Sequence, residues 1–488
     1  MSMEAGLLAE HPGLRRSSAP RPRPGIVHLG LGAFFRAFGA VYVEDAARIS
    51  GGDWGIVGVS LKSAGTRDAL APQDFVYTTV SQAADGAETF RKVEILADVL
   101  VAPEDPEAVL ARMADPAIRI VTLTVTEKGY CHDPATGRLN LEHPDITHDL
   151  ASPLPRSAPG FLVRALARRR EAGHPPFTVL TCDNLPENGR LVRGVVLDLA
   201  RRIDPALGAW IEAAGRFPAT MVDRITPATK PEDIERLAQK TGILDAAPVL
   251  CEPFRQWVVE DDFVPAYGAD ACPDLAAAGV ELVPDVTPYE HMKLRMLNGT
   301  HSSLAYLGYL AGHETIADTV ADPVFASFVR RLWREEIMPS FGVPEGVDLE
   351  DYAEALFERY SNPAIRHRTW QIAMDGSQKL PQRILGTIAD NLTAMRPSPG
   401  LILAVAAWMR YVGGTDERGQ PIEVKDPLAK RLRELSDGAE TPEEKVEALL
   451  SVRDIFSPEL AAKLREPAGR AYELLCRVGA RQAVEDCL

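Results

Sequence analysis

Short β-branched runs alternating with helical patterns restrict this chain's fold more than any other feature. Residues 26–29, 56–61, 118–125 and 177–181 read as strands, and residues 33–49, 106–113 and 159–172 between them read as helices. A strand that passes through a helix before the next strand begins returns parallel to it, which yields a doubly wound sheet with helices on both faces. Residues 221–225 and 254–259 add further strand-like pieces. From about Pro288 the strands stop. Amphipathic segments at 291–310, 322–337, 348–359, 401–411, 442–452 and 468–478 predict a largely helical second domain. A chain of 488 residues exceeds what one hydrophobic core usually serves. The expected organisation is an arm over 1–24, rich in Pro and Arg, then an α/β domain over 25–286, then a mostly α-helical domain over 287–488.

Charge narrows the partners. A formal net charge of −16 repels phosphate backbones, which argues against nucleic acid. The six cysteines are scattered, with no C-x-x-C pair, so neither a disulfide framework nor a structural zinc site is expected. The N-terminal stretch has no apolar core of the kind a secretory signal needs, and the longest apolar run, 401–409, is too short to span a bilayer. A cytoplasmic protein without a membrane partner is the expectation.

IVHLGLGAFFRAFGAVYVEDA, from Ile26, is a short apolar strand, a G-x-G and a helix. Gly30 can take a turn closed to other residues, and Gly32 lets a pyrophosphate approach the backbone at the helix start, where Ala33 and Phe34 follow. The third glycine of the dinucleotide fingerprint is absent, because Phe35 stands there. No acidic residue ends the second strand, where GVSLKSAGTRD offers Ser60, Lys62 and Ser63. A tight strand-to-helix turn accounts for the glycines equally well. For a bound nucleotide, the missing acid leaves NAD and NADP both open, and Lys62 suits a 2′-phosphate.

KLRMLNGTHS, 293–302, carries three polar groups on an otherwise apolar helix. At about 100° per residue, Lys293, Asn298 and His301 fall within an arc of about 140°, and Arg295 points the other way. A solvated face is the bland explanation. The continuation SSLAYLGYLAG looks buried and argues against it. Burial disfavours an ammonium ion, lowering a lysine from about 10.4 toward neutrality and making it a base. An asparagine amide beside it can donate to a developing alkoxide, and a histidine can hold a substrate hydroxyl. Together they suit oxidation of a secondary alcohol to a ketone, with the hydride passing to a nicotinamide. Glu290, one turn earlier, suits a structural ion pair first and a proton relay second. TCDNLPENG, 181–189, follows a strand at the sheet edge where ligands collect. There Asn184 is a second candidate oxyanion donor, while Asp183 and Asn188 suit an Asx turn or helix cap.

Two rival signals fail. YEHMK, 289–293, has the Tyr-x-x-x-Lys spacing of short-chain dehydrogenases, but it lies far beyond the glycine loop and outside the sheet. A zinc alcohol dehydrogenase lacks its Cys and His ligand spacing here.

GLGAFFRA, TVTEKGY, TCDNLPENG, MVDRITP, CEPFRQWVVEDDF, KLRMLNGTHS and SNPAIRHRTWQIAMDGSQKLPQR, in this order, resemble the polyol-specific long-chain dehydrogenases. That group includes mannitol 2-dehydrogenases and fructuronate reductases. The resemblance runs from about residue 25 to the C-terminus. It implies a Rossmann-type sheet domain, a helical C-terminal domain and metal-independent hydride transfer. It implies Lys293 as general base, Asn184 and Asn298 as oxyanion donors, His301 placing the substrate, and Val222 and Asp223 near the cofactor. The last motifs look more like the fructuronate reductase branch. One departure is local: many members read G-x-G-x-F-H-R-A-H, and both histidine positions are phenylalanine here, Phe35 and Phe38. Arg366, Arg368 and Lys379 are candidates to receive a sugar-acid carboxylate, with surface or interdomain ion pairing an equal alternative for any one of them.

The expected function is therefore an NAD(P)-dependent oxidoreductase of linear sugar acids or polyols, interconverting D-mannonate and D-fructuronate in the first place and D-mannitol and D-fructose in the second. NAD is the expected cofactor, with NADP open. A small-molecule partner and a monomer or small homo-oligomer are expected. The alternative from another class is a dinucleotide-binding sensor without catalysis, and an intact Lys293, Asn298 and His301 set argues against it.

Overall fold

Five parallel strands form the central sheet of the first half. They are β1 (Pro24–Leu29), β2 (Gly55–Ser60), β5 (Leu96–Val101), β6 (Ile120–Leu123) and β7 (Thr178–Thr181), in the order β5-β2-β1-β6-β7. The computed structural model describes residues 11–17, 20–133 and 136–488. Val27 sits between Val57 and Val121, and Leu29 between Val59 and Leu123, so β-branched and leucine side chains line one face of the middle strands, and Ile26, Ile56 and Ile120 line the other. All are fully buried, as a sheet covered on both sides requires. Pairing order reverses on either side of β1, which opens a crevice at the C-terminal ends of β1 and β6.

Two smaller three-stranded sheets complete this unit. One joins β3 (Tyr77–Gln82) to β4 (Glu88–Val93) and β9 (Val249–Cys251). The other places β10 (Gln256–Glu260) between β8 (Thr220–Asp223) and β11 (Glu281–Val283). Their strands are short, and of these only β8 and β10 stood out in the sequence. The helix expected over 33–49 is broken in two. Phe38, at φ −122° and ψ −86°, ends α1 (Ala33–Ala37) and begins α2 (Gly39–Ser50).

Part of the expected N-terminal arm, residues 1–10 and 18–19, lies outside the described residues. The remainder is an extended strap on the sheet unit. Leu14 N–H donates to Leu244 O at 2.7 Å, and Leu244 N–H donates to Pro12 O at 2.9 Å. The buried Arg16 guanidinium donates to Glu94 O at 2.6 Å and to Leu96 O at 2.7 Å.

The chain divides into two compact units: one runs through Ala83 and resumes over Ala87–Thr287, the other holds Ala84–Gly86 and Pro288–Leu488. The second is helical. Its centre is α3 (Thr300–Leu310), against which α4 (Pro399–Val412) packs, with α5 (Pro458–Val478) behind α4. α3 is buried along almost its whole length and α4 on most of its surface, so both read as apolar runs. Among the described residues no helix is long and apolar enough to cross a membrane.

Candidate active site

In the sheet unit the glycine loop closes the end of β1. Gly30 has φ +92°, and a Cβ there would lie 2.2 Å from Thr124 O, so both conformation and space demand glycine. Gly30 N–H donates to Val59 O at 2.9 Å, tying the loop to β2. At Gly32 a Cβ would meet only Gly30 O, at 3.8 Å, so the loop backbone is open to a ligand there. A cavity of about 470 Å³ borders this loop, lined by Gly30, Gly32, Ser60, Lys62, Thr124 and Arg156 among others. A bare glycine backbone beside basic and hydroxyl side chains fits a nucleotide diphosphate. The end of β2 presents Ser60 to the cavity, followed by Lys62 and Ser63, with no carboxylate among these three.

Phe35 and Phe38 explain the loop's departure from the usual pattern. The Phe35 ring stacks on His28, with centroids 3.4 Å apart and planes 5° apart. His28 is held by Thr122 Oγ1 at 2.8 Å and Thr124 Oγ1 at 2.9 Å, and burial pushes its pKa from 6.5 down to about 3. Phe38 joins Phe34, Tyr42 and Trp257 in an aromatic cluster. Both positions therefore belong to the core. Ala33 and Phe34 are partly buried and do not line the cavity.

Asp183 organises the sheet edge. It accepts from Val125 N–H at 2.8 Å, Thr126 N–H at 3.0 Å and Tyr130 O–H at 2.7 Å. These bonds hold the turn in which Thr126 takes φ +63°. Asn188 spends both ends of its amide on backbone. Its Nδ2 donates to Asp183 O at 3.0 Å and to Thr220 O at 2.9 Å, while its Oδ1 accepts from Thr220 N–H at 3.0 Å. Both side chains tie together segments distant in sequence, in place of the Asx turn or helix cap expected of them. Asn184 between them is exposed in a bend after β7. Val222 and Asp223 are buried on β8, opposite Trp257 and Gln256, and do not line the cavity.

In the helical unit, Lys293–Gly299 is a π-helical turn between the helix Thr287–Met292 and α3. The α-helical arc of about 140° expected between Lys293 and Asn298 is thus replaced. An i→i+5 turn brings residue 298 over residue 293, so the two side chains project closer together than an α-helix allows. Two long-range donors reach carbonyls of this turn. Trp333 Nε1–H donates to Met296 O at 3.0 Å, and Tyr360 O–H donates to Leu297 O at 2.7 Å.

Lys293, Asn298 and His301 are all buried, with 7 to 9 % of their surface exposed. Asn298 Nδ2 and His301 Nε2 have no hydrogen-bond partner among the described residues. Burial, with His367, Arg383, Arg359 and Lys379 around it, pushes the His301 pKa well below 6.5, so the ring is neutral. His301 lies between Tyr360, 5.3 Å away ring to ring, and His367, 5.1 Å away. Glu290 is partly buried one turn before Lys293.

Of the carboxylate candidates, Lys379 belongs to this neighbourhood and two do not. Lys379 Nζ donates to Met374 O at 2.6 Å, and burial, then Arg383, pushes its pKa down to about 8. Arg366 and Arg368 are exposed, at 3.7 and 3.6 Å from Glu314. The segment alternates, so His367 turns inward and the arginines on either side turn out. Both arginines thus stand at the surface beside Glu314, as the ion-pair alternative describes. His367, Tyr360, Arg359 and Arg383 were missed as site residues. His367 and Arg383 belong to the motif that carried Arg366 and Arg368, and Arg359 and Tyr360 stand just before it.

The mannitol dehydrogenase Rossmann domain matches residues 24–267, and the mannitol dehydrogenase C-terminal domain matches residues 285–476. The chain belongs to the mannitol dehydrogenase family. It is 49% identical to the uncharacterized oxidoreductase YdfI of Escherichia coli (strain K12), over 90% of this chain and 89% of that protein. It is 46% identical to the D-mannonate oxidoreductase of the same organism, over 94% of each. A mannitol 2-dehydrogenase of Pseudomonas fluorescens, solved as a ternary complex with NAD and D-mannitol, superposes with a TM-score of 0.85. That protein is 36% identical, covering 99% of this chain and 98% of its own. As a member of the family this chain is an oxidoreductase with a dinucleotide-binding Rossmann domain and a helical second domain.

Proposed function

We propose that this oxidoreductase interconverts D-mannonate and D-fructuronate with NAD. The observation that carries the reading is the pair of orphaned buried atoms, Asn298 Nδ2 and His301 Nε2, on the helix that carries Lys293. A buried polar atom without a partner costs about 1–3 kcal/mol, which a ligand oxygen offsets on binding. In the oxidation direction Lys293 Nζ takes the hydroxyl proton, and Asn298 Nδ2–H donates to the oxygen as it becomes alkoxide-like. Neutral His301 holds a neighbouring hydroxyl through Nε2. A bound nicotinamide supplies the hydride acceptor. Asn184 is the second oxyanion donor of this reading. Gly30 and Gly32 leave their backbone bare for the diphosphate, and Val222 and Asp223 complete the cofactor's surroundings. Glu290 serves Lys293 as an ion-pair partner or proton relay.

Similarity supports the sugar acid over the polyol by a small margin: 46% identity to a D-mannonate oxidoreductase against 41% to a mannitol 2-dehydrogenase of Pyrenophora tritici-repentis. A panel followed at 340 nm tests the reading, pairing NADH and NADPH with fructuronate, tagaturonate and fructose. Fastest reduction of fructuronate with NADH is expected. Reduction of fructose alone transfers the chain to the mannitol reading, and no reduction of any substrate restores the sensor.

A further inference from the structure

Arg383 is a partly buried arginine without an acid. It sits in a second π-helical turn, Pro381–Leu385, packed on the Lys293–Gly299 turn. The two backbones approach so closely that a Cβ on Gly299 would lie 2.4 Å from Arg383 O. Its Nη1–H donates to Ser302 Oγ at 3.1 Å, one residue beyond His301, and no other hydrogen bond engages the guanidinium among the described residues. Burial lowers its pKa, and the neighbours that act on it are the phenols of Tyr306 and Tyr360, not a carboxylate. Arg295, on the same helix as His301, shows the ordinary solution: it donates to Ser340 O at 2.7 Å and pairs with Asp390 at 2.5 Å. A guanidinium kept from water without a counter-ion is costly unless a ligand supplies one.

Lys379 lies one helical turn before Arg383 and adds a second cation; its ammonium donates to Met374 O, and Asp375 and Asp426 act on it without a hydrogen bond. The charged groups that lower the His301 pKa are Arg383, Arg359 and Lys379. A neutral polyol gains little from such a field. A carboxylate gains a fork of N–H donors in the geometry Arg presents to it.

We propose that Arg383, with Lys379 beside it, binds the carboxylate end of an open-chain sugar acid whose reacting hydroxyl lies at Lys293 and Asn298. Arg383 then selects acids over uncharged polyols. The assignment rests on the sugar-acid reading and deepens it.

The test compares kcat/KM for D-fructuronate and D-fructose, each with NADH, in the wild type, Arg383→Gln and Arg383→Lys. In Arg383→Gln the acid-to-ketose ratio falls by about 100-fold, through KM for the acid. Arg383→Lys, with its point charge, falls between the two. A ratio in Arg383→Gln within about threefold of wild type, against a wild type that prefers the acid, overturns the assignment of Arg383. A wild type that prefers fructose instead overturns the sugar-acid reading itself. NADH affinity by fluorescence titration reports folding. Where Arg383→Gln does not bind NADH, Arg383→Lys decides: a ratio lowered about tenfold supports the assignment and an unchanged one overturns it.

Discussion

His28, His301 and His367 are all kept neutral by burial, and each does something different with its ring. His28 locks the end of β1 to Thr122 and Thr124 beneath the Phe35 ring. His301 keeps Nε2 free of protein partners, and His367 flanks it. The pKa of His28 is lowered to about 3, that of His367 to about 4, and that of His301 well below 6.5. In the unfolded chain all three return to about 6.5. Below pH 6.5 the unfolded state therefore binds protons that the native state refuses. Their stabilising neutrality is complete above pH 6.5 and lost as pH falls toward the native values, at about 1.4 kcal/mol per unit of depression. Glu336, raised to about 7 by burial, acts in the opposite sense, since its protonated form is favoured by folding as pH falls. Comparison of variants isolates the histidine. In chemical denaturation between pH 4 and 6.5, His28→Gln is expected to flatten the acid-side loss relative to wild type, and an acid limb of unchanged slope contradicts the assignment. None of this was legible at residue level, because the sequence shows His28 in a strand without showing which ring covers it.

Periodicity and β-branched runs exposed the five strands of the main sheet well enough, except β5, and the large helices of the second unit with them. Local pattern is what those elements are made of, and β5, LADVLV, mixes an acidic residue into a short run. The π-helical turn was illegible for a physical reason. Two of its carbonyls are held by Trp333 and Tyr360, which lie 37 and 63 residues away from Met296 and Leu297. Only Gly299 left a trace, since it lets the second π-helical turn approach. An added methyl there meets the Arg383 carbonyl, which is backbone and yields little. Gly299→Ala is expected to cost about 1–3 kcal/mol of stability and to raise KM for the sugar acid. Thermal melts and steady-state kinetics check both, and a variant with wild-type melting and KM removes the close approach from the account.

At the scale of the whole chain, the proposed function assigns different parts of the chemistry to the two units. The sheet unit offers a glycine-lined cavity of about 470 Å³ at the strand ends. The helical unit offers Lys293, Asn298 and His301 on one helix, with Arg383 and Lys379 behind them. Motif order along the chain had suggested as much, since the glycine loop and the polar helix stand some 260 residues apart. Between the two readings held open for Arg366 and Arg368, the sequence could not show that 366 and 368 face outward while 367 turns in. If cofactor binding and proton transfer are separable in this way, removing the base should leave the nucleotide site working. Lys293→Ala is therefore the most direct measurement: NADH titration by fluorescence together with turnover of D-fructuronate. The account predicts wild-type NADH affinity and a kcat reduced by about 10²–10⁴-fold. Turnover near that of the wild type would contradict it.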